Sequence, residues 1–378
     1  MKSLKNIILG LSCVSAVVLT GCIDETLPTH QATDEQLSSS SKATEALLWA
    51  MPAFANNYKT VDGGDYDWGY GSLMHIRDVM TDEMVIIESG YDHYQYIGPN
   101  YLSTQFIWNY FWKFVQTTNN MIGAINPESA SETQLGYLGA AYGYRAFIYL
   151  DMARMFEFLE NDGTSPTNSS GNNVLNLTVP IVTEEVTEEA ARNNPRVNRQ
   201  EMYEFILSDL NKAEEYIPNF HRSTKTLPDL AVVYGLKARL YMWMEDYANA
   251  QVYARKAIEE SGATPTTEDQ WLSTTSGFND ISISSWMFGS SMQKEDDVVK
   301  SGIINWTSWM SNETTYGYAA AGPMPLADIN FYNKISDTDF RKLSWKAPAG
   351  SVLEGKNTYI DTATGAALPE YASLKFRP

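Results

Sequence analysis

Cysteine is nearly missing from this chain. Of 378 residues only Cys13 and Cys22 are cysteine. Both lie within the first 22 positions, so the remainder can form neither an internal disulfide nor a thiolate metal site. Histidine is scarce as well: His30, His75, His93 and His221 are the four present. No two have the His-x-x-x-His spacing of a zinc-hydrolase helix. Basic residues are outnumbered, 27 Lys+Arg against 46 Asp+Glu, for a net charge of −19. A surface so acidic repels phosphates, which argues against a nucleic-acid partner. Gly-x-Ser-x-Gly, His-Glu-x-x-His and P-loop motifs are absent. Carboxylates alone form a solvated surface far more often than a glycosidase pair. Nothing in these residue types and spacings calls for a metal or a cofactor.

What the chain has in quantity is aromatic residues, 12% of the total, with 23 Tyr and 10 Trp. That is too rich for disorder and supplies flat apolar surfaces, in a core or on display. The chain is long enough for a sizeable core and for two or three domains.

The N-terminus reads as a targeting segment. Lys2 and Lys5 precede an apolar or small-residue run from Ile7 to Leu19, too short to span a membrane comfortably. It ends in Leu19-Thr20-Gly21-Cys22. This resembles a bacterial lipoprotein signal, in which an aliphatic residue and two small ones precede the cysteine. The resemblance implies a signal peptide over 1–21, cleavage before Cys22 and lipidation of its thiol. Acyl chains on one residue then replace a membrane span, at about 0.8 kcal/mol per buried CH₂. Residues 22–40 are a flexible lipidated tether: Ile23-Asp24-Glu25, then Thr, Pro, Gln and the serines 38–41. The acidic pair after the cysteine resembles a surface-export signal of Bacteroidetes lipoproteins.

From there the texture is helical. Ser41 is placed to cap a helix from about Lys42 to Asn57, with Leu47, Leu48, Met51 and Phe54 on an apolar face and Pro52 as a bend or break. A helix is expected over Leu73–Met80. Tyr91, Tyr94, Tyr96 and Tyr101, interleaved with Gly90, Gly98, Pro99 and Asn100, fit neither helix nor strand and read as an aromatic loop. Residues 104–125 repeat apolar side chains at helical spacing. Residues 132–158 form a helix carrying Gly136, Gly139 and Gly143. Each glycine costs a helix about 1 kcal/mol against alanine, so close backbone contact with a neighbour is expected in compensation. After a Gly/Ser/Asn/Thr loop over 161–176 and a short extended Val179–Val182, helices follow over Asn198–Ile217, Asp229–Met244 and Tyr247–Glu260. Asn198 and Glu201 have the geometry of a capping box.

One pattern occurs twice. Tyr142-Gly143-Tyr144-Arg145-Ala146-Phe147-Ile148-Tyr149 and Tyr234-Gly235-Leu236-Lys237-Ala238-Arg239-Leu240-Tyr241 share Tyr-Gly-x-basic-Ala-x-x-Tyr. The second copy opens a segment in which Tyr234, Ala238, Tyr241, Tyr247, Ala250 and Ala257 match the tetratricopeptide pattern. Both copies are expected to be inner helices of hairpins, with glycine and alanine permitting close packing and tyrosines filling between helices. Residues 263–378 are richer in Gly, Ser, Thr and Asn. They carry a second aromatic group, Trp286, Phe288, Trp306, Trp309, Tyr316 and Tyr318, and read as loops and short elements mounted on the scaffold.

These pieces, in this order, resemble the SusD/RagB family of outer-membrane nutrient-binding lipoproteins of Bacteroidetes. The resemblance rests on several stretches beyond the Cys22 lipobox. Trp108-Asn109-Tyr110 leads to Asn119-Asn120-Met121-Ile122. Tyr144-Arg145-Ala146-Phe147-Ile148-Tyr149 runs on through Leu150 to Phe156, and Val179-Pro180-Ile181 and Pro195-Arg196 follow. Ile206, Asp209-Leu210 and Ala213 share one helix, ahead of the tetratricopeptide-like unit 230–262. The fold implied is mostly α, a tetratricopeptide-like hairpin scaffold with long irregular loops and a few short strands. Residues 41–378 would form one SusD-like domain, with its helical repeat core at about 104–262 and a loop-rich ligand side at about 263–378. Chains of this family are normally longer, so a C-terminally truncated chain is expected.

The function implied is a non-catalytic, lipid-anchored outer-membrane protein facing the cell surface. It would capture oligosaccharide and pass it to a SusC-type TonB-dependent transporter. Sugars present apolar C–H faces to aromatic rings and hydroxyls to polar neighbours. Tyr91, Tyr94, Tyr96, Trp306 and Trp309 are the candidates for stacking, and Arg77, Asp92 and Asn100 for hydrogen bonds. Three other readings stand beside this one: an exported hydrolase, a periplasmic tetratricopeptide-type scaffold that binds proteins, and the same fold with peptide or glycoprotein cargo.

Overall fold

The structure, a computed structural model, describes residues 40–64, 66–86, 101–275, 280–300, 325–359 and 361–375. Seven longer helices carry the fold: α1 (Ser41–Ala55), α2 (Tyr70–Val79), α3 (Leu102–Gly123), α4 (Glu132–Phe156), α6 (Arg199–Tyr216), α7 (Leu230–Trp243) and α8 (Tyr247–Ser261). The short α5 (Glu188–Arg192), α9 (Glu268–Leu272) and α10 (Asp297–Lys300) lie between and after them. Two three-residue strands, β1 (Met84–Ile86) and β2 (Pro325–Ala327), form an antiparallel ribbon, followed by α11 (Ile329–Lys334) and α12 (Thr362–Ala367).

Local chemistry explains where the helices begin. Ser131 with Gln134 and Asn198 with Glu201 form reciprocal capping boxes at α4 and α6. Asp229 caps α7 through the Val232 amide. At α1 the cap is Ser40, not Ser41, because the Ser40 hydroxyl is the one that accepts from the Ala43 amide. Pro52 lies within α1 and does not end it. Helix α2 starts at Tyr70, three residues before the expected Leu73, and so places Tyr70 on the same helix as Arg77.

Among the described residues one large cluster forms the main core, with smaller ones around Trp68 and Val298, Leu368 and Leu374, and Leu343 and Leu353. From α3 the main core takes Phe106, Tyr110, Phe111 and Phe114, all fully buried. Each contributes about 1.5–3 kcal/mol by leaving water. Around them close Leu48 and Met51 of α1, Leu138 to Ala153 of α4, Met202, Ile206 and Leu210 of α6, and Val232 to Leu240 of α7. Helix α4 is central and buried on almost every side. Its glycines earn their place by proximity. A Cβ on Gly136 would stand 2.3 Å from Cβ of Phe220, and one on Gly139 would stand 2.8 Å from the Ile217 amide nitrogen. The expected close backbone contact is therefore present, against the 3₁₀ turn Ile217–Asn219 and the residues after it.

The repeated pattern is only half symmetrical. Both basic residues are buried and both reach α6. Arg145 forks onto Asp209 with Nε–Oδ2 2.7 Å and Nη2–Oδ1 2.9 Å, and also meets Glu184 and, at 2.9 Å, Oδ1 of Asn119. Lys237 meets Glu214 and, at 2.7 Å, Asn211. The glycines differ: Gly143 is pressed against Pro228, whereas a Cβ on Gly235 would meet open space. Close packing is therefore not the role of the second glycine. In the α7–α8 hairpin Ala238, Ala250 and Ala257 are buried as the tetratricopeptide pattern requires, but Tyr247 is 61% exposed and fills no interhelical gap.

Candidate functional site

Of the two aromatic segments singled out in the sequence, 91–101 and 286–318, residues 91–100 and 301–318 lie outside the described residues, whereas Tyr101 and 286–300 are described. With them lie Tyr91, Asp92, Tyr94, Tyr96, Asn100, Trp306 and Trp309. Cys22 is also outside. Residues that flank both stretches are described, and they converge. Ile86, ahead of the first stretch, pairs with Pro325, after the second. At the other ends, Phe106 in the first turns of α3 packs on Tyr66, with ring centroids 5.4 Å apart. Val298 of α10 packs on Trp68. Tyr66, Trp68 and β1 all border α2. Described residues more than 200 positions apart in the chain thus gather around one short helix.

Beside the ribbon is an open depression of about 750 Å³, within the roughly 300–1,000 Å³ of small-ligand sites. Thr81, Asp82, Glu83, Met84 and Val85 line one wall, and Asp328, Asn330, Phe331 and Lys334 the other. Carboxylates, an amide and an ammonium beside one ring suit a polyhydroxylated ligand, since each can pair with hydroxyl groups. Among the described residues no three His, Cys, Asp or Glu side chains are grouped to hold a metal ion.

Arg77 is the predicted site residue that the structure describes. It sits in the last turn of α2, where its charge complements the helix dipole. Its Nε donates to the Leu73 carbonyl at 3.2 Å, Nη1 to Oδ2 of Asp151 at 3.0 Å and Nη2 to the Tyr70 hydroxyl at 3.2 Å. The Tyr70 hydroxyl in turn donates to the same Asp151 oxygen. Burial, then the neighbouring carboxylate, pushes the Tyr70 pKa well up, so it remains a protonated donor. Asp151, on α4, is 1% exposed, and its other oxygen accepts from Nη2 of Arg239 on α7 at 3.2 Å. Three helices are thereby tied to one buried carboxylate. No local pattern signals this junction, because Asp151 and Arg239 are 88 residues apart.

Other motif residues prove structural. Arg145 is held by Asp209, Glu184 and Asn119, and Asn119 donates to the Val182 carbonyl at 3.0 Å. The Tyr149 hydroxyl donates to the same carbonyl and accepts from the Val182 amide at 2.8 Å. The Val-Pro-Ile strap is thus stitched to α3 and α4. Trp108 packs edge-on to Phe156 with Arg196 over its ring. Phe288, grouped in the sequence with the ligand-side aromatics, packs instead on Tyr144 and Phe147 at the edge of the main core. Near α2, burial pulls the Lys375 pKa down and pushes the Asp78 pKa up, and the two charges face one another.

Against known proteins, the SusD-like family model described as starch-binding and associating with the outer membrane matches residues 24–242. A SusD-like protein of Formosa agariphila is 28% identical over 282 residues, covering 72% of this chain and 49% of its own. The chain therefore spans about half the length of that curated relative. A SusD-like carbohydrate binding protein from Bacteroides vulgatus superposes with a TM-score of 0.63 at 19% identity, over 86% of this chain and 67% of the other. A SusD superfamily protein from Bacteroides thetaiotaomicron gives 0.62 at 19% identity, over 89% and 69%. These likenesses establish a SusD-like, predominantly helical fold. Among the described residues no helix is long and apolar enough to cross a membrane.

Proposed function

This chain belongs to the SusD-like family, and on that premise we propose that it is a non-catalytic glycan-binding lipoprotein of the outer membrane. It is anchored through Cys22, faces the cell surface and hands captured oligosaccharide to a SusC-type TonB-dependent transporter. Residues 1–21 are its signal peptide and 22–40 its tether, and the domain from residue 41 carries the ligand.

The observation that carries this reading is the pairing of Ile86 with Pro325. It sets the described residues that flank two aromatic-bearing segments side by side, beside the depression lined by Asp82, Glu83, Asp328 and Phe331. In this reading Tyr91, Tyr94, Tyr96, Trp306 and Trp309 stack on sugar rings, while Arg77, Asp92 and Asn100 hold hydroxyls. Stacking on flat rings needs several faces presented together, and flanks set side by side bring distant segments within reach of one ligand.

The test is affinity electrophoresis of the purified chain against a polysaccharide panel. Retention by a glycan, lost in Trp306→Ala or Tyr94→Ala, supports the reading. Unchanged retention in both variants removes the placement of the site, and no retention by any glycan removes the function. Release of reducing sugar from a retained polymer would instead make the chain a hydrolase. Protease shaving of intact cells separates surface display from a periplasmic scaffold.

A further inference from the structure

Asp151 holds two cations with one charge. Its carboxylate is 1% exposed, but Arg77 and Arg239 are 33% and 43% exposed at the side chain. Asp151 alone therefore balances one of the two positive charges, at the surface of a chain whose net charge is −19. Arg77 commits three N–H groups to Leu73, Asp151 and Tyr70, and Arg239 commits one to Asp151. Each guanidinium has five donors, so both retain N–H groups for a further acceptor. Below them the rings form a continuous edge: Arg77 lies over Tyr70 at 5.5 Å and Arg239 over Phe147 at 6.0 Å. Tyr70 and Phe147 are 5.2 Å apart, and Phe288 continues the row at 5.9 Å. All three rings are half-buried. Asp78, next to Arg77 in the chain, faces both Arg77 and Lys375, so its charge is shared between them.

We propose that the Arg77–Arg239 pair, held on Asp151 above Tyr70 and Phe147, is a subsite for an acidic sugar, a uronate or a sulfate ester, within the bound glycan. Forked guanidiniums recognise planar or tetrahedral oxyanions through paired N–H groups, which a lysine ammonium cannot reproduce. A ring edge beside them accepts the apolar face of the same sugar. The buried carboxylate fixes both arginines before the ligand arrives, so little side-chain freedom is lost on binding. This inference rests on the glycan-binding reading and adds the class of glycan.

The test uses the full chain with polygalacturonate and its methyl ester, with carrageenan and its desulfated form, and with starch as a neutral reference. Retention is expected on polygalacturonate or carrageenan and not on the uncharged counterpart, and which of the two polymers retains it separates uronate from sulfate. R239Q should weaken that retention about tenfold or more. R239K, which keeps the charge but loses the fork, should weaken it severalfold with an unchanged unfolding curve, and it decides the matter if R239Q folds poorly. Equal retention of charged and uncharged polymers, or retention unaltered in R239Q and R239K, overturns the subsite. Retention on starch alone overturns it and leaves glycan binding standing. Retention on none of the polymers overturns the subsite, and the wider polysaccharide panel then decides whether glycan binding stands.

Discussion

Arg145 and Lys237 occupy the same position of a repeated sequence, 92 residues apart, and both deliver their charge to α6. Arg145 takes Asp209, while Lys237 takes Glu214 little more than one turn further on. The helix between the two copies is thus pinned from both sides by buried cations. An isolated charge there would be strongly unfavourable, so each pair stands or falls together.

Breaking the first pair should be costly. Arg145→Ala leaves Asp209, which is 2% exposed, without its fork and Glu184 and Asn119 without their donor. A loss of about 3–5 kcal/mol is expected in urea unfolding. A loss below about 1 kcal/mol would mean that the network does not hold α6 in place.

Glycines of α4 and α7 should respond in opposite ways. Gly139 and Gly143 face atoms at 2.8 and 3.2 Å, whereas Gly235 faces nothing within 4 Å. Gly139→Ala should destabilise by roughly 1–3 kcal/mol through overpacking against the Ile217 backbone. Gly235→Ala should stabilise by about 0.5–1 kcal/mol, since helix propensity improves with no clash. Thermal unfolding of both variants checks the pair, and a destabilised Gly235→Ala would contradict the open space seen there.

Phe288 offers a way to tell core from ligand surface. It touches Tyr144 and Phe147, so Phe288→Ala should lower stability by roughly 1–3 kcal/mol. The two arginines lie over Tyr70 and Phe147, the rings assigned to the sugar, so glycan retention should change little in Phe288→Ala. A large fall in retention with unchanged stability would move Phe288 into the binding surface.

Anchorage can be tested apart from the fold. Cys22→Ser should shift the chain from the detergent-rich to the aqueous phase on detergent partitioning and abolish incorporation of labelled fatty acid. Phase behaviour identical to the parent would exclude Cys22 as the attachment point.

Much of this architecture was legible in the linear chain. The apolar spacing of 104–125 and the capping box at Asn198 report local geometry, in which each residue answers to neighbours three or four positions away. The glycine row of 132–158 announced a close approach for the same reason, since the cost is local even when the partner is not. Tyr247 and Phe288 misled because a residue type says that a surface is apolar and flat, but not which neighbour covers it. Of the candidate site, Arg77 could be named from its sequence surroundings, but its partners could not.

By itself the sequence determined the helices, their caps, the acidic surface and the order of motifs that places the chain in its family, all set by short-range spacing and composition. Only the tertiary structure decided that Ile86 meets Pro325, that Asp151 gathers Tyr70, Arg77 and Arg239, and that α6 receives both cations of the repeat. Those choices join residues 23 to 239 positions apart. They follow from how helices pack and which buried charges find partners, and no local period encodes that.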